Sequence, residues 1–175
     1  MNPNQLSFTK TSKVTYASKL GPVLVSECEI ENLDFVPSIG VIGIDPGKNF
    51  GLVYIGPNGT RVMNGKFDDS VHPLREGAFH FIQSVCRLVH PSLAILEGAS
   101  YGDRFGQVKL AEVRCGFALG VSELGIPVEI VAPKSPRKVV FGSGDTVAMD
   151  VWVSLNHNAS DALCLALYPY MKGAQ

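Results

Sequence analysis

Two short apolar runs, each ending in an acidic residue, constrain this chain more than any other feature. Residues 41–44 lead into Asp45, which precedes Pro46 and Gly47, and "SLAILE" ends at Glu97, which precedes Gly98. Runs of this length bounded by turn residues predict buried strands. An ionised carboxylate at the end of a buried strand loses hydration, and this costs free energy unless a partner compensates. Both acids therefore need a neutralising partner.

Hydrophobic periodicity predicts an α/β fold around these two strands. Strands are predicted over residues 41–45, 51–56, 60–67, 92–97 and 127–131, and helices over residues 74–89, 104–124 and about 158–167. The helix over residues 104–124 is predicted to turn Val108, Ala111, Cys115, Ala118 and Leu119 toward the core. A three-strand meander followed by alternating helices and strands predicts a mixed five-stranded sheet flanked by helices.

The chain has 175 residues, a length typical of one domain. Residues 40–175 are predicted to form the main domain, and residues 1–39 an N-terminal extension with two short strands around Leu20, Gly21 and Pro22. The first acidic residue is Glu27, and this acid-poor start keeps an organelle-targeting segment open as an alternative to a cytoplasmic protein of bacterial or phage type. No apolar run is long enough to predict a membrane helix.

Charge and cysteine usage narrow the function classes. Lys and Arg total 15 and Asp and Glu total 16, so the net charge is −1 and the chain is not globally basic. If it binds nucleic acid, its positive charge must be concentrated on one face. The four cysteines are far apart and form no C-x-x-C pair, which predicts free thiols in a reducing compartment.

A third acid joins the two strand-end carboxylates. In the predicted sheet the first and fourth strands can be neighbours, which brings Asp45 and Glu97 together, and Asp161 lies near the start of the last helix. Lys48 is the one nearby base, and a single amine does not balance three acids. A cluster of hard oxygen ligands suits Mg²⁺ or Mn²⁺. Taken singly, each acid could instead be a turn or helix-capping residue.

Four motifs carry a family resemblance. "GIDPG", "LEGASYG", "RKVVFGSG" and "ASDALCLALY", in that order over residues 40–170, resemble the RuvC-type Holliday-junction resolvases of the RNase H-like superfamily. The resemblance implies a homodimer that cuts two opposed strands of a four-way DNA junction with two Mg²⁺ or Mn²⁺ ions. Asp45, Glu97 and Asp161 match the catalytic acids of the family. The family's fourth metal ligand falls at Asn158, where Asp or His is usual, and His157 precedes it as an alternative ligand.

The same resemblance implies a set of DNA-binding residues. Arg137 and Lys138 match a basic pair of the family and form a positive patch with Lys134, for which we expect phosphate contacts with salt-dependent affinity. Tyr101 and Arg104 follow Glu97 in a glycine-rich stretch, and Tyr101 could contact unstacked bases at the junction centre.

Three alternatives remain open at the level of sequence. The first is another RNase H-like nuclease that acts on RNA or on other branched DNA. The second is a sugar-kinase or actin-type ATPase, because "DPGKNFG" resembles the phosphate loop of those proteins, although they need two such domains. The third is a junction-binding protein with weak or absent catalysis, which the neutral Asn158 suggests. The ordered motifs favour the metal-dependent junction endonuclease.

Overall fold

A seven-stranded mixed sheet organises the part of the chain that the computed structural model describes, residues 2–70, 73–99 and 107–172. The strands are β1 (Ser12–Tyr16), β2 (Val23–Cys28), β3 (Val41–Asp45), β4 (Asn49–Gly56), β5 (Gly59–Lys66), β6 (Leu93–Glu97) and β7 (Val128–Val131). The helices are α1 (Leu74–Val89), α2 (Gln107–Ser122), α3 (Lys134–Phe141), α4 (Ala148–Val151) and α5 (His157–Lys172), and a 3-10 turn covers Pro3–Gln5.

The spatial order of the strands is β1-β2-β5-β4-β3-β6-β7. The first five strands in this order pair antiparallel, whereas β3, β6 and β7 pair in parallel. The predicted mixed α/β sheet is confirmed, but the count of five strands is wrong. Strands β1 and β2 form a hairpin, and β2 pairs with β5, whose backbone groups would otherwise form an exposed sheet edge.

One edge of the sheet collects the acid-bearing strand ends. Strands β3 and β6 run in parallel and both end there, and β4, antiparallel to β3, begins there. By the same pairing β5 ends and β2 begins at this edge. We call it the acid edge, because Asp45 and Glu97 are the last residues of β3 and β6.

Helices cover both faces of the sheet. Helices α1 and α2 pack on one face, where Phe50, Phe67, Phe81 and Phe117 form an aromatic cluster. Helix α5 packs on the other face, with α3 and α4 beside it. Most of α5 is buried from Ala159 to Tyr168, so its position relative to the strands is fixed by packing.

The inward face predicted for α2 is wrong except at Ala118, which packs against the core. Val113, Phe117 and Val121 face the core, whereas Val108 is 68% exposed and Leu119 is 49% exposed. A Cβ atom at Gly116 would lie only 2.2 Å from the Arg75 carbonyl oxygen, so this glycine lets α1 and α2 approach closely. Because α2 carries apolar residues on several faces, apolar periodicity does not identify which face is buried. The close approach at Gly116 determines that face. The predicted start of this helix at residue 104 lies outside the described residues.

A buried carboxylate joins the N-terminal hairpin to the main sheet. The Tyr16 hydroxyl donates to Glu27 Oε2 at 2.7 Å, and the Arg61 guanidinium on β5 donates to Glu27 Oε1. Burial and the Glu27 carboxylate together raise the pKa of Tyr16. The Trp152 indole also donates to the Pro3 carbonyl oxygen at 2.8 Å. Residues 2–39 therefore share the sheet and the core with the rest of the chain.

The described residues contain no helix that is long and apolar enough to span a membrane. All four cysteines are free thiols, as the sequence predicts. Cys28, Cys86 and Cys164 are buried, and Cys115 is exposed on α2.

Candidate active site

Asp45 and Glu97 are neighbours at the acid edge. In the parallel register of β3 and β6, Ile44 lies opposite Leu96, so the next residue of each strand is an acid. The two side chains are partly buried and close enough to interact electrostatically. Two such carboxyl groups repel each other when both are ionised, which favours a shared proton.

The surroundings disfavour the charged form of both groups. Burial raises the pKa of Asp45 well above its usual range, and the carboxylates of Glu97 and Asp161 add to the shift. Burial also raises the pKa of Glu97, and the charge of Asp161 contributes. The pair therefore retains a proton over a higher pH range than ordinary surface carboxyls unless a cation neutralises it.

Asp161 completes the cluster from α5. Its side chain is buried, and residue Asp161 is 5% exposed. The start of α5 lies directly on β4, because a Cβ atom at Gly51 would be 2.0 Å from the Asn158 carbonyl oxygen. Gly51 is the register partner of Asp45, so this close contact brings the first turns of α5 to the acid edge.

Arg137 is the base that the structure places against these acids. It lies on α3 and donates from Nε at 3.0 Å and from Nη2 at 2.7 Å to Asp161 Oδ1. Its charge also acts to lower the pKa values of Asp45 and Glu97, against the effect of burial. The sequence predicted a DNA-contacting role for Arg137 and missed this ion pair, because nothing local links residues 24 apart.

The predicted fourth-ligand positions lie beside Asp161. His157 Nε2 is 3.3 Å from Asp161 Oδ2, one helical turn away on α5. Asn158 lines a polar surface groove together with Asn49 and Asn64. Lys48, the base nearest Asp45 in sequence, instead pairs with Asp69 at 2.5 Å.

The remaining predicted DNA-binding residues divide into two groups. Lys134 begins α3 and pairs with Asp145 at 2.5 Å, and Lys138 is exposed on the same helix. Tyr101 and Arg104 lie outside the described residues.

One further basic residue near the acids, Arg114, is not predicted from the sequence. Arg114 on α2 donates from Nε to the Glu97 carbonyl oxygen at 3.0 Å and from Nη2 to the Gly98 carbonyl oxygen at 3.2 Å. These bonds fix the backbone that carries the Glu97 side chain. No motif marks Arg114, because the contact depends on how α2 packs against the end of β6.

The donor chemistry of the cluster fits a hard divalent cation, since its three acids offer carboxylate oxygens. As they stand, however, no three His, Cys, Asp or Glu side chains within residues 2–70, 73–99 and 107–172 are placed to hold a metal ion together. Arg137 engages Asp161 Oδ1, so a cation bound through that oxygen would replace the contact. The ligand set of Asp45, Glu97, Asp161, Asn158 and His157 stays a prediction.

Comparison with solved structures identifies the fold. The chain is similar to the Thermus thermophilus RuvC structure, with 21% identity and a TM-score of 0.62 over 78% of this chain and 96% of that chain. It is also similar to T. thermophilus RuvC in complex with Holliday junction substrate, with 17% identity and a TM-score of 0.60 over 78% of this chain and 95% of that chain. The yeast mitochondrial Holliday junction resolvase Ydc2 matches at 12% identity and a TM-score of 0.48 over 75% of this chain and 78% of that chain.

No protein-family model matches the chain, and no curated protein matches it by sequence. The solved structures identify the architecture as an α/β fold of the RuvC type, with a mixed sheet between helices, which confirms the fold that the four motifs predict.

Proposed function

We propose that this chain is a metal-dependent endonuclease that cuts four-way DNA junctions through Asp45, Glu97 and Asp161. The observation that carries the proposal is the charge imbalance at the acid edge. Three interacting carboxylates meet there, and Arg137 is the one guanidinium that acts on all three in the described part of the chain. The similarity of the fold to that of T. thermophilus RuvC supports the same function.

The chain's own residues divide the work. Strands β3 and β6 hold the carboxylates of Asp45 and Glu97 side by side, and α5 carries Asp161 close enough to interact with them electrostatically. These three would hold Mg²⁺ or Mn²⁺, which supplies the charge stabilisation that displacement at a phosphodiester requires. Because the acids are fixed by packed elements, they need little reorganisation during the reaction.

Arg137 would have two alternating partners. Its guanidinium bonds to Asp161 Oδ1, which partly balances the cluster. If Asp161 held a divalent cation through that oxygen, the Arg137 guanidinium would be available to another anion. A planar guanidinium is well suited to phosphate oxygens, so Arg137 could then bind the substrate backbone, as predicted from the sequence.

A junction presents two equivalent strands, so paired cuts require two active sites related by a two-fold axis. We propose that the chain forms a homodimer through an apolar stripe on the outer face of α2, formed by Val108, Ala111, Cys115 and Leu119. Spaced three or four residues apart, these exposed side chains can all face a second copy.

Light scattering tests this assembly. The wild type should have the mass of a dimer at micromolar concentration, and Leu119→Glu should have the mass of a monomer. Val36→Glu is the matched control, because Val36 is 91% exposed in a loop away from α2. A monomeric wild type, both with and without junction DNA, would contradict the proposal.

The proposed activity is tested with end-labelled substrates. A four-way DNA junction, its linear duplex arms and an RNA–DNA hybrid are incubated separately with Mg²⁺, Mn²⁺ or EDTA. We expect nicks in two opposed strands of the junction with either metal and none in EDTA. Preferred cutting of the hybrid would support an RNA-directed nuclease instead, and tight junction binding without cutting in Mn²⁺ would support a binding protein.

A further inference from the structure

A row of residues in register crosses five strands of the sheet and ends at the acids. Lys13 on β1 faces Ser26 on β2, Ser26 faces Asn64 on β5, Asn64 faces Gly51 on β4, and Gly51 faces Asp45 on β3. Directly opposed residues point to the same face of a sheet. Lys13, Ser26 and Asn64 therefore lie on the same face as Asp45. Four strand spacings of about 4.8 Å put Lys13 about 19 Å from Asp45.

A second pair lies beside this row, nearer the acid edge. Asn49 and Lys66 face each other at the start of β4 and the end of β5. Each is two residues from a member of the row on its own strand, so its side chain points to the same face. Asn158, at the start of α5, approaches the gap that Gly51 leaves. The residues of this row, the Asn49–Lys66 pair and the start of α5 line a surface groove of about 370 Å³, which we call the polar groove.

The lining of the polar groove is rich in hydrogen-bond donors. Its polar side chains, among the described residues, are two lysines, four asparagines and one serine, with no carboxylate. Lys13 Nζ donates to Ser26 Oγ at 2.6 Å, which orients the ammonium group along the row. Such a surface suits an anion, although it lies next to three acids and belongs to a chain with a net charge of −1.

The residue types that line the polar groove favour contacts with the nucleic-acid backbone over contacts with the bases. Lysine and amide side chains are typical phosphate contacts. The described lining contains no aromatic side chain on which a base could stack. At about 3.4 Å of axis per nucleotide in one strand of a duplex, 19 Å corresponds to about five or six nucleotides.

We propose that the polar groove binds the phosphodiester backbone of one substrate arm and directs it to the acid edge. The N-terminal hairpin of β1 and β2 would then belong to the substrate-binding surface. This proposal rests on the proposed nuclease function and deepens it, because the hairpin lies outside the motifs over residues 40–170 that carry the family resemblance.

The test compares two double variants with the same change in charge. Lys13→Gln/Lys66→Gln removes both groove lysines, which are exposed, so the fold should survive. The control is Lys10→Gln/Lys172→Gln. Lys10 precedes β1 and Lys172 ends α5, so both lie toward the edge opposite the acids. Circular dichroism melting checks that all proteins are folded.

Binding of a labelled four-way junction is measured by fluorescence anisotropy in EDTA, where no cutting is expected, between about 50 and about 200 mM salt. The groove variant should bind about tenfold more weakly at about 100 mM salt, and the slope of log K against log salt should fall by about two. The control should match the wild type.

The outcomes separate this proposal from the nuclease assignment. If the groove variant binds with the affinity and salt slope of the wild type, the groove proposal is wrong even where the wild type cuts junctions. If the groove variant loses affinity but the wild type never cuts, the groove stands as a nucleic-acid site and the nuclease assignment fails. A wild type that binds no DNA contradicts both.

Discussion

Two buried carboxylate clusters in this chain use similar residues and differ in charge balance. At the hairpin, Glu27 is 6% exposed and is bonded by the Tyr16 hydroxyl and the Arg61 guanidinium. At the acid edge, Asp45, Glu97 and Asp161 share the guanidinium of Arg137, and the charge of Arg114 acts on Glu97. We call these the hairpin cluster and the acid cluster.

The difference separates a structural role from a functional one. In the hairpin cluster one carboxylate has one arginine and one hydroxyl donor, so its charge is balanced and it links β2 to β5. In the acid cluster the pKa of Asp45 is raised well above its usual range by burial and by neighbouring carboxylates. The negative charge of this cluster is therefore only partly neutralised. Strongly perturbed acids of this kind are typical of functional sites.

The largest expected effect is on catalysis. Glu97→Gln or Asp161→Asn should reduce junction cleavage by about a thousandfold or more, because each removes a charge that serves the reaction. Asp150→Asn, an exposed acid on α4, is the matched control and should cut normally. Rates are measured under single-turnover conditions with saturating Mg²⁺. If either variant cut the junction at the normal rate, the acid that it replaces would not be catalytic.

The next effect is on stability and distinguishes the two arginines. Arg61→Met should lower the free energy of unfolding by about 3 kcal/mol, because it leaves Glu27 buried without its charged partner. Arg137→Met should also be destabilised in EDTA, but Mn²⁺ should restore its stability, since a cation can take the place of the guanidinium. Urea unfolding with and without Mn²⁺ measures both. If Mn²⁺ restored the stability of the Arg61 variant, or failed to restore that of the Arg137 variant, the proposed difference between the two clusters would be wrong.

A smaller effect of opposite sign is expected for Asp45→Asn. In EDTA at about pH 8 this variant should be more stable than the wild type by about 1 kcal/mol, because it removes like-charge repulsion. The pKa of Asp45 is raised on folding, so the wild type gains stability as the pH falls through that pKa and the advantage of the variant shrinks. Urea unfolding at several pH values measures this. An advantage that grows as the pH falls would contradict the assigned shift.

The smallest effect concerns the fourth-ligand position. Asn158→Asp adds a charge one helical turn from Asp161 and should lower the Mn²⁺ concentration for half-maximal cleavage by about threefold, because ligand charge tunes cation affinity. Asn156→Asp is the control. Asn156 Oδ1 accepts from the Ala159 backbone N–H at 2.8 Å, and an aspartate keeps this cap while adding the same charge. Equal titrations for both variants would make Asn158 a structural residue.

The sequence predicts the elements whose signals are local. Strand β3 and helix α1 match their predicted ranges because apolar periodicity and turn residues bound them. The adjacency of Asp45 and Glu97 followed from the order of the elements, since few topologies connect a meander to a crossover.

What the sequence could not predict depends on contacts between distant segments. The pairing of β2 with β5 joins the N-terminal hairpin to a sheet whose strands come later in the sequence. The inner face of α2 depends on the close approach that Gly116 permits, and the partner of Arg137 depends on how α3 packs beside α5. None of these contacts leaves a periodic pattern in the sequence.

The central claim is that the acid cluster is a cation site and the hairpin cluster is not. Calorimetric titration with Mn²⁺ tests it directly on three folded proteins: the wild type, Glu97→Gln and Glu27→Gln. We predict that the wild type and Glu27→Gln bind Mn²⁺ with equal affinity, and that Glu97→Gln binds at least about tenfold more weakly, because it loses a carboxylate ligand. Equal binding by all three proteins, or no binding by the wild type, would contradict the claim.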